Sequence, residues 1–383
     1  RVHMKNKVKI CFVATVDSAI TSFLSHHLRQ LAKLYDLTII TNTNNTDSLS
    51  QIRLDANLIQ INFSRKIDFF ADIYCLVKLV QIFMRTRFAS IHSITPKAGL
   101  LAMLAARICF IPTRIHIFTG QVWATETGLK RSFLKFIDRL VGKMTTHNII
   151  DSPSQRDFLI QQKVLSEQKS IVFGSGSVSG VDLKRFMRNE QMRFKVRLEL
   201  AIPKRAFVFI YLGRLNQDKG ILDLARAFAK IQNSKAFLLI VGADEGGFVD
   251  KIKIINTHKS SQVKFIDFTN KPENYLAASD TLCLPSYREG FGNVIIEAAA
   301  MGIPAIASNI YGISDAVSNE QTGLLHTPRD VKSILDAMEH FLTTTELVKK
   351  YGDVAMKRAR SEFDANKISK YWRDFYLKEV GKR

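Results

Sequence analysis

Residues 286–304, SYREGFGNVIIEAAAMGIP, combine residue types that could bind a phosphorylated sugar. The stretch follows a short apolar strand predicted over 281–285 and turns at Gly290 and Gly292 into a predicted helix. The first N–H groups of a helix lack intrahelical partners, and the aligned peptide dipoles place roughly +0.5 charge there. The sequence therefore predicts a phosphate site at this turn.

Two carboxylates bracket the same turn. Glu289 stands just before the predicted helix and Glu297 follows eight residues later, which predicts one shared side and a separation of about two turns. A carboxylate accepts paired hydrogen bonds well, and neighbouring hydroxyls of a sugar ring can donate them. Either glutamate alone is more often a dipole partner or a solvated side chain. Together with the phosphate site, the pair predicts binding of a nucleotide-sugar.

A second candidate cluster, residues 213–220, comes directly after a strand predicted over 207–212 and contains Arg214 and Lys219. Ligands of parallel α/β domains bind at this carboxyl edge of the sheet. A departing diphosphate gains negative charge, and one well-placed fixed cation stabilises that charge by roughly 3–4 kcal/mol. Taken alone, the two cations would be an ordinary solvated pair.

The two stretches together resemble the Glu-x7-Glu motif and the Gly-Arg-x4-Lys-Gly segment of the retaining GT-B glycosyltransferases of the family 4 type. The resemblance implies that Glu297 holds the donor ribose, that Glu289 contacts the transferred sugar, and that Arg214 and Lys219 neutralise the donor diphosphate. It names Arg214, Lys219 and Glu289 as the catalytic residues. The further residues expected to bind the donor are Gly213, Gly290, Phe291, Gly292, Asn293 and Val294.

Residues 119–125, TGQVWAT, are similar to a branch of this family that assembles bacterial capsule, exopolysaccharide and O-antigen, and residues 176–183 and 310–316 resemble the same branch. The resemblance implies a UDP-linked donor sugar and a polyprenyl-diphosphate-linked saccharide as acceptor. It implies front-face transfer in which the diphosphate helps to take the acceptor proton. No cofactor is expected. A GT-B sugar-nucleotide epimerase is the alternative within the same fold.

The acceptor is expected on the first half of the chain, where the sequence departs from the family in two places. The family often has a Gly-Gly pair after the first strand, where this chain has residues 16–19, VDSA. It often has a His where Thr119 stands, and His116 is expected in the core. The candidate acceptor-binding residues are Asp17, Ser18, Thr119, Gly120, Gln121 and Trp123. Trp123 could equally be a buried structural residue.

Strands alternate with helices twice along the chain, which predicts two doubly wound α/β domains. The predicted domains are an acceptor domain over 4–183 and a nucleotide-sugar domain over 184–365. The resemblance implies the GT-B architecture, two Rossmann-like domains facing a cleft, in which the last helix crosses back to the first domain. That helix is predicted over 366–383 and has an aromatic stripe, Tyr371, Trp372, Phe375 and Tyr376.

Length and composition suit a globular protein: the chain has 383 residues, of which 46% are hydrophobic and 23% charged. The net charge of +20 favours nucleic acid, an anionic membrane surface or a polyanionic substrate. No nucleic-acid recognition motif is present, so we expect no nucleic-acid partner. A basic nucleic-acid-binding protein remains the rival from another functional class.

The sequence predicts neither a metal site nor a disulfide framework. No Asp-x-Asp and no His or Cys cluster with metal spacing occurs, so we expect a metal-independent reaction. The cysteines Cys11, Cys75, Cys109 and Cys283 lie scattered in apolar runs and are expected to be reduced core residues of a cytosolic protein.

Two amphipathic helices predict contact with an anionic membrane. Arg131, Lys135, Arg139 and Lys143 recur every four residues among apolar neighbours, and the helix predicted over 68–87 combines cations with aromatic residues. Two core helices with solvated basic faces are the alternative. Because a polyprenyl-linked acceptor lies at the bilayer, we expect a cytoplasmic protein, peripheral at the inner face of the bacterial inner membrane.

Overall fold

The computed structural model describes residues 7–42, 54–64 and 68–381, and all elements below belong to these residues. The chain divides into two compact units. Residues 1–179 and 365–383 form the first unit, and residues 180–364 form the second. The sequence predicts these divisions after residues 183 and 365.

The first unit contains a seven-stranded parallel sheet in the order β3-β2-β1-β4-β5-β6-β7. Its strands are β1 (Lys9–Val13), β2 (Asp36–Thr41), β3 (Asn57–Gln60), β4 (Ser90–Ser93), β5 (Thr113–Phe118), β6 (His147–Ile150) and β7 (Ser170–Ile171). The central strands are buried on both faces, as expected for a parallel sheet covered by helices, although β4 carries the polar residues Ser90, His92 and Ser93. The strand order reverses between β1 and β4.

Helices cover both faces of this sheet. They are α1 (Asp17–Phe23), α2 (Ser25–Leu31), α3 (Phe69–Thr86), α4 (Pro96–Ile108), α5 (Gly128–Met144), α6 (Pro153–Gln161) and α15 (Ala365–Glu379). Apolar residues of α3 to α6 form one core with one face of the sheet, and those of α1, α2 and α15 form the other. On the first face, α4 packs against both α3 and α5.

Two local predictions from the sequence, a polar loop over 16–21 and a flexible linker between the domains over 170–180, were wrong, and one helix was not predicted. The polar loop predicted over 16–21 is helical, since α1 begins at Asp17 with that acidic side chain in its first turn. The expected linker over 170–180 begins with strand β7, and Phe173 and Val178 are buried in the core. Helix α6 was missed because only Gln155 and Leu159 of its nine residues are buried, which leaves little periodicity to detect.

The second unit contains a six-stranded parallel sheet in the order β10-β9-β8-β11-β12-β13. Its strands are β8 (Phe207–Leu212), β9 (Ala236–Val241), β10 (Val263–Ile266), β11 (Thr281–Leu284), β12 (Ala305–Ser308) and β13 (Gly323–His326). The sequence predicted each of these strands, because each is a short apolar run bounded by polar or turn residues. The order reverses between β8 and β11.

Eight helices of the described chain cover the second sheet. They are α7 (Glu190–Glu199), α8 (Ile221–Lys230), α9 (Phe248–Ile255), α10 (Pro272–Ala277), α11 (Asn293–Ala300), α12 (Ile313–Ala316), α13 (Val331–Thr343) and α14 (Thr345–Glu362). The sequence alone predicted neither α7 nor α12 nor α14. Residues alternating along β8 and β9 enter two separate cores, one on each face of the sheet.

The last helix, α15, packs on the first unit through the predicted aromatic stripe. The Trp372 indole N–H donates to the carbonyl oxygen of Val178 at 2.9 Å, and the Trp372 ring contacts Phe173 with centroids 4.9 Å apart. The Tyr376 hydroxyl lies 2.8 Å from His92 Nδ1. Both aromatic side chains are fully buried, so α15 belongs to the core of this unit.

Replacing Trp372 with Ala should lower the free energy of unfolding of the first unit by about 3–5 kcal/mol, since it removes a buried ring and leaves a cavity. Denaturant unfolding would measure the change. Arg373→Ala is the control, because Arg373 is exposed on the same helix and pairs only with its neighbour Asp374 among the described residues. Equal stability of the two variants would contradict this packing.

Candidate active site

The two stretches predicted to bind the donor lie side by side at the carboxyl edge of the second sheet. Gly213 follows β8 directly, and Ser286 is the second residue after β11. Strands β8 and β11 are neighbours, and the strand order reverses between them. Crevices at such reversal points are where open α/β sheets bind ligands. The position of this edge in the fold therefore supports a ligand site here independently of the sequence motifs.

The loop after β8 is shaped by its backbone. A short 3-10 turn, Gln217–Lys219, is capped by Asn216, whose side-chain oxygen accepts from the Lys219 N–H at 3.2 Å. Gly220 follows with φ of 63°, and a Cβ there would lie 2.0 Å from the carbonyl oxygen of Pro285. Only glycine allows this approach between the β8 and β11 loops. The Tyr287 N–H then donates to the Asp218 carbonyl at 2.7 Å.

This approach places Lys219 against Glu289. Lys219 Nζ lies 2.5 Å from Glu289 Oε1, and the Ser286 hydroxyl donates to the same oxygen at 2.9 Å. The two charged side chains are only 21% and 15% exposed, so water screens their attraction less than at an open surface. Ser286 was absent from the predicted site, although its position just before the Glu289 turn marks it as a neighbour.

Arg214 has a different partner. Its guanidinium donates to Glu245 at 2.9 and 3.2 Å, and Asn216 donates to the same carboxylate at 2.9 Å. Arg214 is 62% exposed, whereas Lys219 is enclosed. Sequence reasoning missed Glu245, which follows β9. The signal that could have identified Glu245 is its position after the carboxyl end of β9, the strand next to β8.

The start of α11 lies in the same loop cluster. Gly292 caps the helix with φ of 84°, and no side chain caps the first turn. The Phe291 ring is fully buried and packs 5.2 Å from Phe363, which anchors the turn. A Cβ on Gly312 would lie 2.5 Å from the Gly290 carbonyl oxygen, so the loop after β12 also packs closely on this turn. Helix α11 thus begins in a tightly held backbone.

One predicted relation was wrong. Helix α11 begins at Asn293, so Glu289 precedes it in the loop and Glu297 is its fifth residue, little more than one turn in. The left-handed Gly292 delays the helix start. Glu297 is half-buried, and this burial raises its pKa from 4.5 to about 7; nearby Glu273 also raises it, while Arg185 opposes the shift. A carboxyl group with such a shifted pKa is typical of a functional site.

The predicted acceptor residues fall into two groups. Asp17 and Ser18 begin α1, and Thr119 and partly exposed Gly120 follow β5. Gln121 and Trp123, by contrast, are each 1% exposed. The indole N–H of Trp123 donates to Asp138 at 2.8 Å, and its ring stacks on Phe158. Packing alone therefore accounts for Trp123.

Two further features stand at the carboxyl edge of the first sheet. His116 is buried, as expected, with Nδ1 2.8 Å from the Ser93 hydroxyl. Thr15 and Thr95, which were not predicted, are each the second residue after β1 and β4. The N–H and hydroxyl of Thr15 both donate to the Thr95 hydroxyl oxygen at 2.9 Å. They mark the strand reversal of this sheet, where a ligand would bind.

Comparison with known proteins places the chain in a family. The model of glycosyl transferases group 1 matches residues 192–358, and the glycosyl transferase 4-like model matches residues 9–148. A capsular polysaccharide biosynthesis glycosyltransferase, CapM of Staphylococcus aureus, is 31% identical over 313 residues, covering 80% of this chain and 81% of CapM. The chain belongs to the same glycosyltransferase family as CapM.

Two further relatives have acceptors in their names. An Escherichia coli UDP-Gal:alpha-D-GlcNAc-diphosphoundecaprenol alpha-1,3-galactosyltransferase is 27% identical to this glycosyltransferase, covering 72% of this chain and 71% of the relative. A Campylobacter jejuni N,N'-diacetylbacillosaminyl-diphospho-undecaprenol alpha-1,3-N-acetylgalactosaminyltransferase is 24% identical, covering 78% of this chain and 79% of the relative.

Solved structures give the fold of the glycosyltransferase as GT-B. HepE of Anabaena, solved with UDP and glucose, has a TM-score of 0.82 at 18% identity, covering 97% of this chain and 100% of HepE. A UDP-N-acetylglucosamine 2-epimerase has a TM-score of 0.69 at 15% identity, covering 98% of this chain and 97% of the epimerase. The fold alone therefore does not separate a transferase from an epimerase, whereas the family match does.

Two features are absent from the residues that the structure describes. No three His, Cys, Asp or Glu side chains in residues 7–42, 54–64 and 68–381 are grouped to hold a metal ion. No helix within the same ranges is long and apolar enough to cross a bilayer. The four cysteines are free, and three of them are buried.

The raised pKa of Glu297 predicts a pH-dependent stability difference. Below pH 4.5 both folded and unfolded states bind the proton; between pH 4.5 and about 7 only the folded state keeps it, so wild-type stability falls as pH rises. Glu297→Gln has no such proton. Urea unfolding should show that the variant gains stability relative to wild type from pH 4.5 to 7.5. A difference that stays constant over this pH range would contradict the raised pKa of Glu297.

Proposed function

We propose that this glycosyltransferase moves a sugar from a UDP-sugar, with retention at the anomeric carbon and without a metal ion, to a polyprenyl-diphosphate-linked saccharide. The pathway we propose is the synthesis of a bacterial surface polysaccharide such as capsule, exopolysaccharide or O-antigen. The observation that carries the proposal is the ion pair of Lys219 and Glu289 at the carboxyl edge of the second sheet, beside the start of α11.

The relatives support the substrate classes. CapM is named for capsular polysaccharide biosynthesis, and the relatives from E. coli and C. jejuni are named for undecaprenyl-diphosphate-linked acceptors. The E. coli relative is also named for a UDP-linked donor, and HepE was solved with UDP. These names supply the chemistry that we extend to this chain.

The donor diphosphate would bind between Lys219 and the first turn of α11. A lysine ammonium has three donors, so Lys219 can keep its bond to Glu289 while donating to a phosphate oxygen. The helix start adds N–H donors and partial positive charge. Arg214 would reach the diphosphate by leaving Glu245, and its exposure permits that movement. Glu297 would accept hydrogen bonds from the ribose hydroxyls.

Transfer breaks the bond between the anomeric carbon and the diphosphate oxygen, which leaves the bonding electrons on that oxygen. The acceptor hydroxyl attacks from the same face, forms the new glycosidic bond and gives its proton to the departing diphosphate. Lys219 and Arg214 stabilise the charge that grows on this diphosphate, the part that a metal ion takes in other enzymes. Glu289 would hold a hydroxyl of the transferred sugar.

Lys219→Ala should lower kcat by roughly 10²–10³-fold, since it removes a charge that acts on the leaving diphosphate. Arg214→Ala should act in the same direction. Glu297→Ala should raise the KM for the donor more than it lowers kcat, because ribose contacts are shared by ground and transition states. UDP release with a defined acceptor would measure all three, and product NMR would report the anomeric configuration.

Lys230→Ala, which removes a cation at the end of α8, is the matched control and should leave the rate near wild type. Near-wild-type rates of both Lys219→Ala and Arg214→Ala would refute the donor site.

Activity should survive EDTA. Loss in EDTA that magnesium or manganese restores would refute metal independence.

The surface that we propose for contact with a membrane differs from the one that the sequence predicts. Three of the four cations in the predicted basic stripe of α5 are engaged internally. Arg131 donates to the carbonyls of Trp123 and Ala124 at 3.2 Å, and Lys135 donates to Gln162 at 2.7 Å. Arg139 donates to the Lys163 carbonyl at 2.8 Å. These cations hold the Trp123 loop and the end of α6 in place, so they are poor candidates for lipid contacts.

The exposed parts of the same helices are apolar. On α3, Phe69 and Phe70 are 70% and 84% exposed, and on α5 Leu129 is 90% exposed. Other large apolar side chains are exposed on α3 to α5 and just after α4. They are Ile73, Tyr74, Val77, Met84, Ile108, Phe110, Phe133 and Phe136. Exposed Lys78, Arg85 and Lys143 accompany them. We name this set the apolar face; such a patch with cations beside it suits insertion into an anionic bilayer.

Phe69→Ser with Phe70→Ser should weaken binding to phosphatidylglycerol vesicles at least about tenfold, because burying each ring is worth roughly 1.5–3 kcal/mol. Co-sedimentation measures it. Salt should weaken wild-type binding only in part, since the accompanying cations are screened and the apolar contacts are not. Phe268→Ser, at an exposed ring of the second unit, is the control. Equal binding of all variants would contradict the proposed face.

A further inference from the structure

The second unit contains a large cavity at the edge of its sheet opposite the candidate active site. Its volume is about 570 Å³, within the range of small-molecule sites. The lining residues Phe207, Lys235 and Asp280 lie at or just before the starts of β8, β9 and β11. The cavity is therefore at the amino edge, and six residues of β8, about 20 Å, separate this edge from the Lys219 loop.

The lining of the cavity is strongly basic. Six of the residues around it are Lys or Arg and two are acidic. The cations come from separate segments: Arg188 and Arg193 at the start of α7, Lys204 and Arg205 before β8, Lys235 before β9, and Lys349 on α14. Since like charges gathered in one concave surface repel each other, their convergence favours an anionic occupant.

The floor of the cavity is a fixed polar network. Asp280 accepts from Arg193 at 2.6 Å and from buried Arg197 at 2.9 Å, and it also accepts from the Val208 N–H at 2.7 Å. Arg197 further donates to the backbone carbonyls of Ala278 and Ala206. Arg193 and Arg197 thus already balance the negative charge of Asp280, so this carboxylate does not neutralise the cations at the rim.

Four rim cations have no carboxylate of their own. Lys204, Arg205, Lys235 and Lys349 are exposed, and none forms an ion pair within the described ranges. Arg188, by contrast, pairs with Asp353 at 3.2 Å. Leu342 near the end of α13 and Thr345 at the start of α14 also line the cavity.

We propose that this cavity binds a small molecule that carries two or more phosphate groups. Several phosphates would match the four unpaired cations, and a single phosphate would not. The lining also includes Phe207, Leu342 and Val348, which gives the non-phosphate part of the ligand an apolar surface. The site is separate from the proposed transfer reaction and does not depend on it.

Isothermal titration with inorganic tripolyphosphate tests the site on the whole chain, with UDP present in saturating amount to occupy the donor site. Lys235→Glu with Lys349→Glu should weaken tripolyphosphate binding by roughly tenfold or more. The matched control is Lys357→Glu with Arg360→Glu, which reverses two exposed charges of α14 outside the cavity and should change affinity by less than about twofold.

Equal weakening by the two double variants would show a general charge effect and overturn the proposal, as would absence of wild-type binding at millimolar probe. Lys219→Ala should leave tripolyphosphate binding unchanged; its loss there would assign the probe to the donor site and equally overturn the inference. If the double variant does not fold, Lys349→Ala serves instead, with an expected weakening of about threefold.

Discussion

The ion pair between Lys219 and Glu289 is the contact on which the candidate active site depends. It joins the loop after β8 to the loop after β11 through a 2.5 Å contact between side chains, and the two backbones also touch. They touch because Gly220 has no side chain, so the Pro285 carbonyl oxygen can occupy the space of a Cβ. Any larger residue at 220 would push the loops apart and separate the lysine from the carboxylate.

The parallel sheet makes this contact possible. Neighbouring strands β8 and β11 end at the same edge, so residues 70 positions apart in the chain meet there. Buried Phe291 and the close approach of Gly312 to Gly290 then hold the start of α11 beside the pair. Packed backbone turns therefore determine the site, and they fix the positions from which the Lys219 and Glu289 side chains extend.

Sequence alone predicted most of the architecture and the donor half of the site. The strands of the second sheet are apolar runs of four to six residues, and such runs between turns are the clearest local signal. Lys219 and Glu289 were predicted because their loops carry family motifs. Glu245 was missed, since its bond to Arg214 exists only because β8 and β9 are adjacent in space.

Orientation on helices was the main failure. Arg131, Lys135 and Arg139 share one stripe of α5, as the spacing predicted, but the spacing does not say which way the stripe turns. Arg131 and Arg139 donate to backbone carbonyls and Lys135 donates to the Gln162 side chain. These bonds turn the stripe inward, which leaves Leu129 and the apolar face outside. The same limit applies to Trp123, whose burial follows from Asp138 and Phe158 and from no local pattern.

A crystal structure of the enzyme with bound UDP would test the central claim most directly. The account predicts the diphosphate within hydrogen-bond distance of Lys219 Nζ and of the first N–H groups of α11, with the ribose hydroxyls at Glu297. A diphosphate bound elsewhere, with the Lys219–Glu289 pair unchanged and no phosphate contact to either group, would contradict it.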